Sequence, residues 1–553
     1  MARIHAALLT LIVIFFGLAT ADLIRDKSPN TDAVAFHLVN GYAYWKTHDF
    51  RMSPATPPLQ RLWMTVPWLW MNPRLTLDDP AWKEADSVPF AMRFFYRDNR
   101  AMARSLLYAS RAMVFLLSLA LLAAVYRWCV RLYGAEAGIL GVGLLAFSPV
   151  IVGYAAQCSI EMGISLFFFL AVYGIYVYAE SGGKRCFPWS GAVAWGLALA
   201  SKFTAVLLGP VFLGILVLRK GVLRGAALLV GVVIVSLFVV WGTYFFDTAP
   251  LLGPNVPRVE EKIKMIEAVA DRLPFGGGDN TEFFKKAAIE TPIPMPAWFL
   301  GLGGIFRSHA APYRHYFMGE WRDHQVWFHY LFSFAVKTTV PLLIMIGWAL
   351  AVFVFSPGRP RLIDGLYLLW PVGMLFFATA RDTTGQGIRY LLPVYPFLAV
   401  FVSGLWSRLA ASRKARILLV LLFGAHILIG VSGSRSGIAY FNELIGGPGN
   451  AYRYVRGSDL EWGQELWALG KYCQKNHIEE IRCVLFGSYD YTFYDIPAAE
   501  IDEDEYESPR RAVYAVSAFR LDQPRWTREF APKEILNHTI WIYDFTGTND
   551  DPT

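Results

Sequence analysis

The chain has 553 residues, of which 55% are hydrophobic and only 17% charged, against roughly 25% charged in soluble proteins. Aromatic residues make up 16%, an excess that suits bilayer interfaces, where amphipathic rings settle at headgroup depth. An ordinary soluble domain is excluded. The net charge of +7 does not by itself indicate a nucleic-acid partner, because much of it sits in short loops between apolar stretches.

A membrane-crossing helix needs about 20 apolar residues. Eleven candidate spans follow, at 4–24, 106–126, 136–155, 162–179, 188–201, 203–218, 225–246, 336–355, 364–380, 390–406 and 415–433. The first lacks a small-x-small cleavage site and reads as a retained anchor. The fifth and sixth are short and are separated at Ser201-Lys202. Basic residues fall on alternate short loops: Arg3; Arg127 and Arg131; Lys184 and Arg185; Arg219, Lys220 and Arg224; Arg359 and Arg361; Arg408, Arg413, Lys414 and Arg416. This positive-inside bias puts the N-terminus in the cytoplasm, and an odd number of spans puts the C-terminus outside.

Three pieces then lie on the outer side. The first loop, 25–105, carries a Trp-rich stretch, 61–71, that reads as a helix lying on the membrane surface. The second, 247–335, is rich in Gly and Pro, including Gly276-Gly277-Gly278. The third is the tail, 434–553, where a helix near 463–475 and β-like runs at 481–486, 512–518 and 539–545 predict a small α/β soluble domain. The expected architecture is a polytopic α-helical membrane protein, 1–433, followed by that extracytoplasmic domain. Asp502-Glu503-Asp504-Glu505 reads as a solvated charge run. Cys473 and Cys483 either pair in an oxidising compartment or stay as buried thiols, and the five cysteines show no metal-ligand spacing.

Charged groups at membrane depth are costly and invite a functional reading. Asp32 follows the first span, Glu161 begins the fourth, Lys202 interrupts an apolar run and Arg389 opens the tenth. On the charge-derived topology all four share the outer face. Each has a plainer alternative. Asp32 could cap a helix, Glu161 could occupy a favourable first turn, and Lys202 and Arg389 could snorkel to headgroups. His37 could stack within its loop, and Pro57-Pro58 could form a rigid corner. Together, however, two acids and two cations on one face have a chemical logic. A carboxylate serves as general base, and Lys and Arg hold a phosphate. A phosphate at membrane depth is lipid-linked, so transfer of its head group is the expected reaction. No GxxxxGK[ST], HExxH or G-x-S-x-G motif is present, and Gly301-Leu302-Gly303-Gly304 is only a weak phosphate-loop signal.

These segments resemble the polyprenyl-phosphate-dependent glycosyltransferases of the GT-C superfamily, family 39, which includes protein O-mannosyltransferases and lies close to the aminoarabinose transferases of lipid A. The first-loop stations are Asp32, His37, Gly41-Tyr42-Ala43-Tyr44-Trp45, His48-Asp49-Phe50-Arg51 and Thr56-Pro57-Pro58-Leu59. Further stations are Glu161, Ala200-Ser201-Lys202-Phe203-Thr204, Met318-Gly319-Glu320, Val336-Lys337-Thr338 and Arg389-Tyr390-Leu391-Leu392-Pro393-Val394-Tyr395-Pro396. In the tail, Tyr440-Phe441-Asn442-Glu443 and Ser458-Asp459-Leu460-Glu461-Trp462-Gly463-Gln464-Glu465 complete the series. Three stations depart from the family pattern: Ala33 replaces a Glu, Thr56 a His, and Glu161 the more usual Asp.

The resemblance implies an inverting hexosyl- or pentosyltransferase in a bacterial plasma membrane, with its site facing outward. Asp32 would activate the acceptor and Glu161 would help position donor or acceptor. His37, Lys202, Arg389 and Tyr390 would bind substrate. The donor would be a polyprenyl-phosphate-linked sugar and the acceptor a protein, lipid or glycan. No cofactor is assigned, and a divalent metal is left open. A flippase for lipid-linked sugars and an inactive scaffold of a glycan-assembly complex are the rival readings.

Overall fold

The computed structural model describes residues 2–252, 286–308, 314–324, 326–355, 362–487 and 489–547, with 263 and 282 between them. Gly276-Gly277-Gly278, Arg359 and Arg361 lie outside the described residues. The chain is a polytopic helical membrane protein. Six described helices are long and apolar enough to cross a bilayer: Arg3–Asp26, Ala103–Tyr133, Glu161–Ala179, Phe203–Lys220, Val222–Thr243 and Arg413–Ala439. Two bent pairs raise this to eight if each counts as one span. Three other expected spans hold only shorter helices, Trp189–Leu199, Asp364–Thr379 and Val394–Ser403.

The bends have local causes. Ala135–Ala146 and Pro149–Ala155 meet at 68°, where Pro149 cannot continue the preceding helix's hydrogen bonding. His329–Lys337 and Val340–Phe355 meet at 115°. Carbonyls freed at such a break must find new partners at membrane depth. Asn442 Nδ2 donates to Ala335 O at 2.7 Å and to Thr338 O at 2.6 Å, while Lys337 Nζ donates to the carbonyls of Ile438 and Asp459.

Contacts divide the chain into two units. One comprises 1–33, 103–169 and 312–553, and the other 34–102 and 170–311. In the first unit the tail forms a five-stranded sheet, in the order Ala498–Ala499, Ile481–Val484, Val513–Ser517, Ile540–Asp544, Glu534–Leu536. Its first three strands run parallel and the remaining pairs are antiparallel. The helix Leu466–Lys475 precedes it. The expected β-runs are present, and 498–499 and 534–536 add two short strands that the sequence pattern did not reveal.

Packing corrects two expectations and decides between the two readings of a third. The acidic run is not wholly solvated: Glu505 is fully buried and meets Arg482 at 3.0 Å, while Asp502 and Asp504 remain exposed. Cys473 and Cys483 are both free thiols. The Trp-rich stretch is two short helices, Leu59–Thr65 and Trp68–Met71, split at Pro67. Trp68 and Met64 are buried within the second unit, although Trp70 is 78% exposed.

Candidate functional site

In the first unit, Asp32 and Arg389 form an ion pair, with Arg389 Nη1 3.1 Å from Asp32 Oδ2. The pair joins residues 357 positions apart. Asp32 keeps 28% of its side chain exposed and Arg389 keeps 14%, so the pair borders solvent rather than lying in a sealed core. The guanidinium also lies over the Trp462 ring, 4.8 Å from its centroid, a cation–π contact. Its Nε is buried without a hydrogen-bond partner among the described residues. Glu161, the first residue of its helix, is only 2% exposed.

The loop bearing Asp32 is held from both ends. Arg111, fully buried in the helix Ala103–Tyr133, donates to the carbonyls of Ile24 (2.7 Å), Lys27 (2.8 Å) and Ser28 (2.8 Å). A planar fork of donors suits this task where an ammonium would not. Asn30 caps the turn, taking the Ala33 N–H at 2.8 Å and donating to Gln157 at 3.2 Å. The tail contributes further anchors. Ser28 N–H reaches Gln464 O at 2.9 Å, Thr31 N–H reaches Trp462 O at 3.0 Å, and Lys27 pairs with buried Glu465 at 2.5 Å.

The segment bearing Arg389 is a short 3₁₀ turn, Gly387–Tyr390. Asp459, 3% exposed, accepts the Ile388 N–H at 2.7 Å and the Ser333 hydroxyl at 2.7 Å. Gly387 has φ +68°, and a Cβ there would stand 2.2 Å from the Asp459 carboxyl carbon. Glycine is required on both counts. Tyr390 stacks on Tyr330 at 6.0 Å, and the Tyr330 hydroxyl donates to Asp382 while accepting the Gln386 N–H at 3.0 Å.

Of the expected site residues, Asp32, Glu161, Arg389 and Tyr390 therefore belong to the first unit. His37 and Lys202 belong to the second. His37 is buried in the π-helical turn Ala33–Leu38. Lys202 precedes the 3₁₀ turn Phe203–Leu207 at a break whose flanks are held by Leu59 N–H to Ala200 O (3.1 Å) and Gln60 to Ser201 (2.8 Å). Gly301 lies within the helix Pro296–Ser308, where a Cβ would strike the Pro54 carbonyl oxygen at 2.1 Å. It is a close-packing glycine, not part of a phosphate loop.

Sequence reasoning assigned no role to Arg111, Asp459 or Trp462. Arg111 carried a usable signal, a charge inside the apolar span 106–126. Among the described residues no group of three or more His, Cys, Asp or Glu could hold a metal ion.

Comparison with solved structures finds ArnT from Cupriavidus metallidurans bound to undecaprenyl phosphate, at 11% identity and TM-score 0.47, covering 97% of each chain. It also finds the oligosaccharyltransferase AglB from Archaeoglobus fulgidus, in complex with an inhibitory peptide and a dolichol-phosphate, at 11% identity and TM-score 0.45, covering 89% of this chain and 63% of that one. No curated protein matches the chain. A family model described as dolichyl-phosphate-mannose-protein mannosyltransferase matches residues 88–244, which include Glu161 and Lys202 but neither Asp32 nor Arg389. Over that segment the chain is similar to the mannosyltransferase family that its sequence motifs resemble.

Proposed function

We propose that the chain is a membrane glycosyltransferase that moves a sugar from a polyprenyl-phosphate donor to an acceptor on the extracytoplasmic side. The observation that carries this reading is the partly exposed Asp32–Arg389 pair, with the buried Glu161 in the same unit. A carboxylate and an arginine at the edge of an apolar helical body can divide the labour of a displacement. Asp32 takes the proton of an acceptor hydroxyl or amine, which attacks the anomeric carbon. The bond from that carbon to the phosphate oxygen breaks, and polyprenyl phosphate departs carrying the electron pair. Arg389 receives the charge that develops on the leaving phosphate. Attack opposite the departing group inverts the anomeric centre. Before donor arrives, the acid and guanidinium neutralise one another, and an incoming phosphate competes for the guanidinium and frees the carboxylate for the acceptor. Lys202 keeps its role as a second phosphate cation, and His37 and Tyr390 keep theirs as substrate contacts, on the sequence motifs alone.

The same reading keeps eleven spans, with 434–553 and the first loop outside a bacterial plasma membrane. Externally added thiol reagent should label cysteines introduced in 73–100 and 434–553, but not those in 181–187 or 408–416. The deciding experiment incubates purified protein with lipid-phosphate sugars and candidate acceptors, and identifies products by mass spectrometry. Glycosylated acceptor with released polyprenyl phosphate supports transfer. Donor moved across a vesicle but not consumed would make the protein a transporter, and donor neither moved nor consumed would leave a scaffold.

A further inference from the structure

Both members of the charge pair are tied to one short stretch of the tail, Ser458–Gln464. On the arginine side, Ser458 Oγ donates to Gln386 O at 2.9 Å, and Asp459 accepts the Ile388 N–H at 2.7 Å. The Trp462 ring lies beneath the guanidinium itself. On the acid side, the Trp462 carbonyl accepts the Thr31 N–H, and Ser28 Oγ donates to Gly463 O at 3.0 Å. The stretch is also braced internally. Trp462 N–H donates to Gln464 Oε1 at 2.6 Å, Gln464 Nε2 donates to Leu460 O at 3.1 Å, and Asp459 and Trp462 are each 3% exposed. Trp462 thus touches Arg389 with its ring and the residue beside Asp32 with its carbonyl.

We infer that Ser458–Gln464 is the template that sets the spacing of Asp32 and Arg389, and that Asp459 is the positioning residue for Arg389. Asp459 does not touch the guanidinium. It acts through the Ile388 backbone, next to the one residue, Gly387, whose missing side chain permits so close an approach. Its consequence for donor use rests on the phosphate role given to Arg389 above, but its effect on the placement of Arg389 does not.

The test separates the two. Phenylglyoxal modification of the full chain in detergent is followed by mass spectrometry at Arg389, with fully buried Arg111 as the internal reference. Asp459→Ala should raise the rate at Arg389 by about fivefold, the scale of losing one net hydrogen bond, and leave Arg111 unchanged. Asp459→Asn should stay near the unaltered protein, because an amide oxygen still accepts from Ile388 and its nitrogen can donate to Ser333. No rise in Asp459→Ala, or an equal rise in Asp459→Asn, overturns the template. If Asp459→Ala exposes both arginines, the fold has been lost and Ser458→Ala decides: a rise of about twofold at Arg389 alone supports the template, and none overturns it. With a polyprenyl-phosphate sugar, Asp459→Ala should raise donor KM by about tenfold, leave acceptor KM alone, and add nothing further in an Arg389→Ala background. Absence of turnover in the unaltered protein would remove the transferase reading while the labelling result still judged the template.

Discussion

Replacing Arg389 by Ala tests the chemical reading most directly. The change removes a guanidinium that lies 3.1 Å from Asp32 and over the Trp462 ring, with 14% of its side chain exposed. Two effects follow, and their sizes differ. Asp32 loses its partner but keeps 28% exposure, so water replaces much of the lost interaction and stability falls by only about 1 kcal/mol, the upper end for an exposed pair. The transition state loses a preorganised charge where the leaving phosphate develops its own, worth about 2–4 kcal/mol. Donor kcat/KM should therefore drop by roughly 30- to 1,000-fold while the fold persists. Arg389→Lys should recover only part, since an ammonium lacks the flat face that meets Trp462 and cannot grip two phosphate oxygens. The assay varies donor and acceptor separately and counts product by mass spectrometry. The drop should be the same for every acceptor, because the donor is common to all. A variant that changed acceptor preference while leaving donor kinetics untouched would refute the phosphate role, and headgroup snorkelling would become the better account.

Four other outcomes are expected. Asp32→Asn should remove nearly all transfer, by about 10²–10⁴-fold, with expression and donor binding largely retained; turnover like that of the unaltered protein would discard the base. Gly387→Ala should cost more than about 1 kcal/mol in thermal unfolding and lower turnover as well, since it meets both a positive φ and the Asp459 carboxyl. Arg111→Lys should lower thermal stability by about 1–3 kcal/mol, because Nη1 serves the carbonyls of 24 and 27 and Nη2 that of 28, so a single ammonium leaves at least one of them without its donor; an unchanged melting temperature would show that the loop does not depend on the fork. Burial pushes the Glu461 carboxyl up to about 8, against the Phe519 N–H that favours its ionised form. The native state therefore keeps a proton that the unfolded chain releases, and stability should fall by about 1.4 kcal/mol per pH unit between the ordinary carboxylate range and pH 8. Glu461→Gln should flatten that slope in unfolding measured from pH 5 to 8, and identical slopes would exclude the effect.

The amino-acid order determines the helical body of this protein, because crossing a bilayer requires a long apolar run with its backbone bonds satisfied locally. It also marks Asp32, Glu161, Lys202 and Arg389 as charges that apolar spans tolerate only at their ends. Runs of β-branched and aromatic residues likewise place the strands Ile481–Val484, Val513–Ser517 and Ile540–Asp544 to within a few residues. Sequence spacing carries no such information about partners. Asp32 meets Arg389 across 357 positions, and Asp459 reaches Ile388 across 71. Such pairings depend on which surfaces pack, not on periodicity. The same holds for Glu505, which reads as one more acid in a solvated run until Arg482 and Tyr514 close around it. Arg111 shows the converse: an arginine inside an apolar span announces that something polar must meet it, and only the tertiary structure shows that this is the backbone of the loop carrying Asp32. Local chemistry thus chose the elements and the candidate charges, while long-range packing decided which charges face one another, because a hydrogen bond between distant residues exists only after the chain between them has folded.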